Sequence, residues 1–185
     1  MSDTIESERL LLGLPHAMDA SRLVALVTPS VGRWTSWPFP LTEHDALARI
    51  ADARDAFERR TQLPLLIVEK ATGTAVGWVR ARRDAVDTRL GWLGYWMGDA
   101  FLGRGFMREA VQALVLRLPG VLDILSLDAM VHPDNLPSTR VLMAAGMTYA
   151  GTLTKGGDDD TVYRRYRVGT GKRLDEGERS DGPVA

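Results

Sequence analysis

The sequence predicts one domain of the α/β layer class. Strand-like and helix-like hydrophobic periods alternate along the chain, hairpin-like pairs come early, and a strand–helix–strand–helix unit occupies the middle. The 185 residues carry 23 basic and 24 acidic side chains, a formal net charge of −1, with 45% hydrophobic and 25% charged residues. A chain of this length and composition can bury a core without help from a disulfide or a metal. It has no cysteine, which excludes disulfide scaffolds, thiolate metal sites and cysteine nucleophiles. The balanced charge argues against a nucleic-acid partner. No apolar run approaches the roughly 18 residues of a membrane span, so no membrane partner is expected. The opening Met1-Ser2-Asp3-Thr4-Ile5-Glu6 is too acidic and polar for a signal peptide, and a cytoplasmic location is expected.

Residues 5–12 read as the first strand, and Asp19 opens a short amphipathic stretch reaching Val27. Residues 29–40 read as a loop, with Pro29, Gly32, Pro38 and Pro40 and the exposed-looking pair Trp34 and Trp37. Thr42 is an N-cap candidate, with Asp45 in the third helical position and Ala46, Ile50, Ala53 and Phe57 on one helical face. Residues 65–69 and 75–82 form a hairpin about Ala71-Thr72-Gly73-Thr74, with Val76, Trp78 and Arg80 alternating against Gly77, Val79 and Ala81. Residues 90–97 are a third strand-like run in this group. A helix over 108–118 buries Val111, Leu114, Val115 and Leu118 and stops at Pro119-Gly120. A strand follows over 125–131, then a helix over 138–145 with Val141, Leu142 and Ala145 inward and Gly146 in the left-handed C-terminal position. Residues 149–153 and 161–168 pair about Gly156-Gly157-Asp158. Residues 1–168 thus make the domain, and the glycine- and charge-rich residues 169–185 are expected to be a disordered tail.

The segment between the strand at 90–97 and the helix after it carries the chemistry. Gly103 and Gly105 permit backbone conformations closed to other residues and let a ligand approach the main chain. The unpaired N–H groups of the helix start, with the positive end of its dipole behind them, make a phosphate or pyrophosphate cradle. A dinucleotide fingerprint would need glycine at Arg108, and a P-loop would need Gly-Lys-Ser/Thr, which is absent. On these residues alone the glycines could also do no more than make the turn.

Gly94-Tyr95-Trp96-Met97 followed by Leu102-Gly103-Arg104-Gly105-Phe106-Met107-Arg108-Glu109-Ala110 resembles the acetyl-CoA loop of the GNAT superfamily of N-acetyltransferases. Glu6-Ser7-Glu8-Arg9-Leu10-Leu11-Leu12 is similar to the opening strand of its RimJ/RimL-type branch, whose founding members acetylate ribosomal-protein N-termini. The stretch from Val131-His132-Pro133-Asp134-Asn135 through Ser138 to Ala145-Gly146-Met147 resembles that branch's second cofactor motif. The resemblance spans residues 5–168. It implies a mixed, mostly antiparallel sheet of about seven strands with about four helices, the fourth and fifth strands splayed around the cofactor. It further implies that Tyr95, Trp96 and Met97 offer backbone groups to pantetheine. Leu102, Gly103, Arg104, Gly105, Phe106 and Met107 would offer N–H groups to the pyrophosphate. Asn135 and Ser138 would contact acetyl-CoA near the thioester and act in catalysis, although both residue types are also ordinary helix caps.

The chain departs from the family at three places. Ala100 stands where a Gln or Arg often precedes the loop, Trp92 where the branch commonly has a glutamate base, and Leu142 where other branches have a tyrosine acid. Without a strong base the acceptor's own acidity matters. Neutralising an α-amine at pH 7 costs about 1 kcal/mol, against about 4.6 kcal/mol for lysine. The expected reaction is therefore acetyl transfer from acetyl-CoA to a primary amine, foremost the α-amine of a protein or peptide N-terminus. Water and backbone carbonyls would accept the proton, and a backbone N–H near Met97 would serve the oxyanion. Glu69, Asp84 and Asp87 are the carboxylates considered as a base. Acetylation of a small amine (an antibiotic, an amino acid or an aminoacyl nucleotide) is the alternative, and a non-catalytic acyl-CoA-binding module the reading from another class.

On the acceptor side, Trp34 and Trp37 either wall the substrate pocket or anchor their loop on the core. Trp78 and Trp92 read as core. Arg80, Arg82, Arg83 and Arg89 crowd one hairpin, as a solvated basic edge or an attraction for an acidic acceptor. His16, His44 and His132 lack ligand spacing, and Asp158-Asp159-Asp160 lacks the further ligands of a calcium loop, so no metal is expected. Homodimerisation through a sheet edge is left open.

Overall fold

In the computed structural model, which describes residues 4–156 and 159–170, the first apolar run folds back on itself. Instead of one strand over 5–12 it makes β1 (Thr4–Glu6) and β2 (Leu10–Gly13), antiparallel with Ile5 opposite Leu12. Ser7 turns the chain: its amide donates to the Leu10 carbonyl (3.0 Å), and its hydroxyl accepts the Leu10 N–H (3.2 Å). Both strands can then face the core, because Ile5, Leu10 and Leu12 are all buried.

A single 3₁₀ turn, Ala17–Asp19, leads into α1 (Ala20–Leu26). The supposed loop then contains a second helix, α2 (Pro29–Trp34). Pro29 suits its first turn, where the missing N–H costs nothing, and Val31 buries against the core. α3 (Glu43–Glu58) starts as expected: the Thr42 hydroxyl accepts the Asp45 N–H (3.1 Å), and the Asp45 carboxylate bonds back to Thr42.

The next strands are β3 (Gln62–Glu69), β4 (Thr74–Arg83) and β5 (Leu90–Met97). An irregularity at Ile67/Val68 offsets the expected alternation, so that Val76 joins Val79 and Ala81 while Trp78 faces the other way. α4 (Phe106–Leu122) runs through Pro119 rather than stopping there. Leu118 and Leu122 are buried on the two sides of the proline, and that packing outweighs the backbone bond lost in the last turn. β6 (Ser126–Val131), α5 (Leu136–Ala144), β7 (Thr148–Gly156) and β8 (Asp159–Gly169) complete the chain. α5 begins two residues before the expected start, and Gly146 after it has φ 88°. Gly169 and Thr170 belong to the sheet end, with the Thr170 amide donating to the Leu125 carbonyl (3.0 Å). The turn at Gly157 and Asp158 and the expected tail over 171–185 lie outside the described residues.

Among the described residues there are eight strands and five α-helices, one more of each than expected; the strands make a single sheet in the order β1-β2-β3-β4-β5-β6-β8-β7, in which β5 and β6 alone run parallel. One core joins α4 to the sheet through Val111, Leu114, Val115 and Leu118, all fully buried. On the opposite face α1 and α3 pack over Leu66, Trp78 and Trp96. Trp92 is not core: its half-buried ring donates the indole N–H to Asp84 (2.7 Å) and lies beneath the Arg165 guanidinium (5.9 Å). The β5–β6 ladder runs from Leu90 opposite Ser126 to Leu93 opposite Ala129 and then stops. Beyond Leu93, β5 keeps β4 on one side and has no strand partner on the other. These are the fourth and fifth strands of the sequence reading, and the divergence falls where the resemblance implied it.

Candidate active site

The glycine loop delivers the start of α4 in an open form. Gly103 and Gly105 have φ of 75° and 77°, the left-handed region that side chains disfavour. Gly105 is the N-cap, so no side chain caps the first N–H groups of the helix, and space at Gly103 is clear to beyond 4 Å. Those donors and the helix dipole are available to an anion. The side chains of Phe106 and Met107 are buried, which leaves only their backbone to face it, whereas Leu102, Gly103, Arg104 and Gly105 are exposed.

Ion pairs brace this loop. Arg104 reaches Glu69 at the end of β3 (2.5 Å), and Arg9 holds Glu109 in the first turn of α4 (2.7 Å). Both guanidiniums lie over the Phe106 ring, 4.8 Å away for Arg9 and 4.4 Å for Arg104. Burial opposes the Glu109 charge, but the Arg9 amide, the Ser7 hydroxyl and the Arg9 guanidinium together hold its carboxyl below the ordinary value. Glu109 lies 102 and 100 residues from Ser7 and Arg9, and Arg104 lies 35 from Glu69, and nothing local in the sequence marks these pairs.

At the β5–β6 divergence the Tyr95 side chain crosses to α5. Its hydroxyl is 2.8 Å from Ser138 Oγ and 3.1 Å from the Ser138 carbonyl. A phenol has one proton to give, so donation to the carbonyl leaves the Ser138 hydroxyl to donate back to Tyr95. Burial pushes the Tyr95 hydroxyl far above its ordinary value, and it is protonated at any physiological pH. The sequence reading considered only the backbone of Tyr95. Asn135 acts as the α5 N-cap, its Oδ1 accepting the Ser138 N–H (3.2 Å), and Leu142 is fully buried in the core. The phenol that reaches α5 therefore comes from β5.

A cavity of about 920 Å³ passes through the divergence. Leu102, Met107, Val141, Asn135 and Ser138 line it on the α4–α5 side, while Tyr95 and Met97 line the passage. On the other face it opens between α2, α3 and β4, against Trp34, Trp37, Arg49 and Arg80. The two tryptophans differ. Trp37 is buried, edge-on to Trp78 (5.4 Å) and Trp96 (5.0 Å), and so anchors its loop. Trp34 is exposed, 5.4 Å from the His132 ring, which in turn meets Tyr163 at 5.9 Å. His132, Tyr163 and Gln62 are further cavity residues that the sequence alone did not mark as a site.

None of the three carboxylates considered as a base lines this cavity. Glu69 is paired with Arg104, and Asp87 accepts the Arg89 amide in an exposed turn. Asp84 is held down to about 2 by the Trp92 indole and by the Asp87 and Val86 amides. The acids on the cavity wall are Asp52 and Asp134, and no residue of β5 or β6 facing it is an acid. Among the described residues no group of three or more His, Asp or Glu is arranged to hold a metal, and no helix is long and apolar enough to cross a membrane.

A family model described as an acetyltransferase (GNAT) domain matches residues 9–148. Solved structures share the fold. A RimL ribosomal L7/L12 α-N-protein acetyltransferase in complex with coenzyme A superposes with TM-score 0.79 at 19% identity, over 91% of this chain and 98% of that one. The microcin C7 self-immunity acetyltransferase MccE, in complex with acetyl-CoA and AMP, gives 0.78 at 21%, over 88% and 93%. Mycobacterium smegmatis RimJ gives 0.77 at 18%, over 90% and 87%. No curated protein matches the sequence.

Proposed function

The chain belongs to the GNAT acetyltransferase family and is an acetyl-CoA-dependent acetyltransferase, and from that premise we propose that its acceptor is the α-amine of a protein or peptide N-terminus. What stands at the β5–β6 divergence carries this reading: two hydroxyls, Tyr95 and Ser138, and no carboxylate from either strand. Such a site holds its own protons and offers no base: burial keeps the Tyr95 proton in place. It suits an amine that loses its own proton cheaply, as an α-amine does at about 1 kcal/mol near pH 7 and a lysine does not.

Acetyl-CoA supplies the activated acetyl thioester. The N–H groups at the start of α4 bind its pyrophosphate, and the free edge of β5 at Tyr95, Trp96 and Met97 orients the pantetheine arm. As the amine nitrogen bonds to the carbonyl carbon, the N–H near Met97 stabilises charge on the oxygen. The carbon–sulfur bond then breaks. The Ser138 hydroxyl turns from Tyr95 to the departing sulfur and donates a hydrogen bond to it, while the amine proton passes through water in the cavity to the thiolate. The products are the amide and the free thiol. A cytoplasmic location accords with such an acceptor.

A second reading, transfer to a small ring-bearing amine, is favoured by the aromatic wall of Trp34, His132 and Tyr163. MccE, seen with AMP, has the same fold. Thiol release from acetyl-CoA with two peptides separates the readings. One has a free N-terminus and no lysine, the other a blocked N-terminus and one lysine. Turnover of the first alone is expected. Turnover of the lysine peptide would reveal a base elsewhere and overturn the argument, and silence on both would favour the small amine.

A further inference from the structure

The acceptor side of the cavity carries three arginines, and their partners are all neutral. Arg80 on β4 donates to the Gln62 amide oxygen (3.3 Å). Arg49 on α3 donates to the Ser36 carbonyl and stacks on Trp37 (4.9 Å). Arg33 on α2 stacks on Trp34 (4.7 Å). Elsewhere Arg9 pairs with Glu109, Arg104 with Glu69, and Arg165 and Arg167 with Asp128. The two acids on the cavity wall, Asp52 and Asp134, form no ion pair with Arg33, Arg49 or Arg80. Three guanidiniums are thus fixed in direction with no acid hydrogen-bonded to any of them.

Arg80 is the best placed. It sits opposite Gly94 in the β4–β5 ladder, and its side chain lies across that glycine: a Cβ at Gly94 would meet Arg80 Nε at 3.1 Å. Gly94 is the first residue of β5 past the last pair with β6. The missing side chain makes room for the arginine at the mouth of the passage. Arg80 lines the cavity and is exposed to it. Desolvation, together with the Arg82 and Arg49 charges, pushes its guanidinium below the ordinary value. No acid is bonded to it, so an anion entering the cavity meets a guanidinium whose charge no carboxylate has taken up.

We infer that the acceptor amine carries an anionic group, a carboxylate or a phosphate, that binds Arg80 with Arg49 and Arg33 behind it. The inference rests on the acetyltransferase reading above and names its substrate class. The arginines would do two things. Charge-assisted hydrogen bonds hold the acceptor. The same positive charges beside the amine disfavour its ammonium form, which lowers the need for a base at this site.

Thiol release measured with four acceptors tests this: a free-N-terminus peptide with aspartate second, the same peptide with asparagine there, 2-aminoethyl phosphate, and ethanolamine. An anionic acceptor is expected to exceed its neutral partner by about tenfold or more in kcat/KM. Arg80→Gln should erase that difference with acetyl-CoA affinity retained, and Arg80→Lys should restore part of it. Preference within the peptide pair places the anion on an acceptor side chain; preference within the other pair places it on a small amine. Equal rates for charged and neutral partners, or a preference that survives Arg80→Gln, would overturn the inference and leave the N-terminal reading intact. Phosphate preference with both peptides inert would support it while removing that reading. Silence on all four acceptors would overturn both.

Discussion

Tyr95 concentrates at one side chain what the site needs from several. It leaves β5 at the point where pairing with β6 has ended, and its hydroxyl meets Ser138 on a helix from the far side of the gap. Tyr95→Phe keeps the ring and its burial and removes the hydroxyl that fixes Ser138. Steady-state kinetics should show kcat falling by up to about a hundredfold, the cost of misplacing a group at the reacting atoms, with the KM for acetyl-CoA little changed. Equal kcat would mean that the pair only braces the gap. Asp84 shows a different control, by close hydrogen bonds. Its carboxyl lies at about 2 rather than 3.8 because the Trp92 indole and two amides bond its charged form. A depressed carboxyl contributes its full effect above the unfolded value and loses it as pH falls through the folded one. The Trp92 indole N–H resonance should therefore hold steady down to about pH 4 and shift only between 3.8 and about 2. Trp92→Phe should return Asp84 toward 3.8, as a carboxyl carbon titration would report.

The start of α4 works as an element because it is left uncapped. Gly105→Val puts a β-branched side chain at φ 77°, where the strain of order 1–3 kcal/mol has to be relieved by moving the loop. Calorimetric titration should find acetyl-CoA binding weakened by more than about tenfold, with far-UV circular dichroism unchanged. Elements with a local signal were readable in sequence. Thr42 and Asp45 cap α3 through side chains three residues apart, and the α4 stripe repeats within one helix. The short α2 has too few turns to show a period, and the hairpin of β1 and β2 hides in one apolar run because both strands face the core. The site's glycine loop and the Asn135–Ser138 motif are each contiguous in sequence, but the reach from Tyr95 to Ser138 and the isolation of Arg80 depend on which distant residues the sheet brings together or keeps apart.

The sheet as a whole is two parts held at a narrow seam. Four residue pairs, from Leu90 with Ser126 to Leu93 with Ala129, join β5 to β6. Within the seam, on β6, fully buried Asp128 takes Arg165 (2.5 Å) and Arg167 (2.6 Å) from β8. Asp128→Ala leaves two guanidiniums without their acid and should cost about 3 kcal/mol in chemical denaturation. A loss under about 1 kcal/mol would show that the arginines find solvent instead. The gap that this seam leaves open has a consequence for the order of events. Because the cavity reaches both faces of the sheet, neither reactant needs to leave before the other enters. The chain also has no cysteine to carry the acetyl group between them. Both reactants should therefore occupy the enzyme together at the moment of transfer. Initial rates plotted in double-reciprocal form against either one should then give lines that intersect, where a ping-pong exchange would give parallel ones.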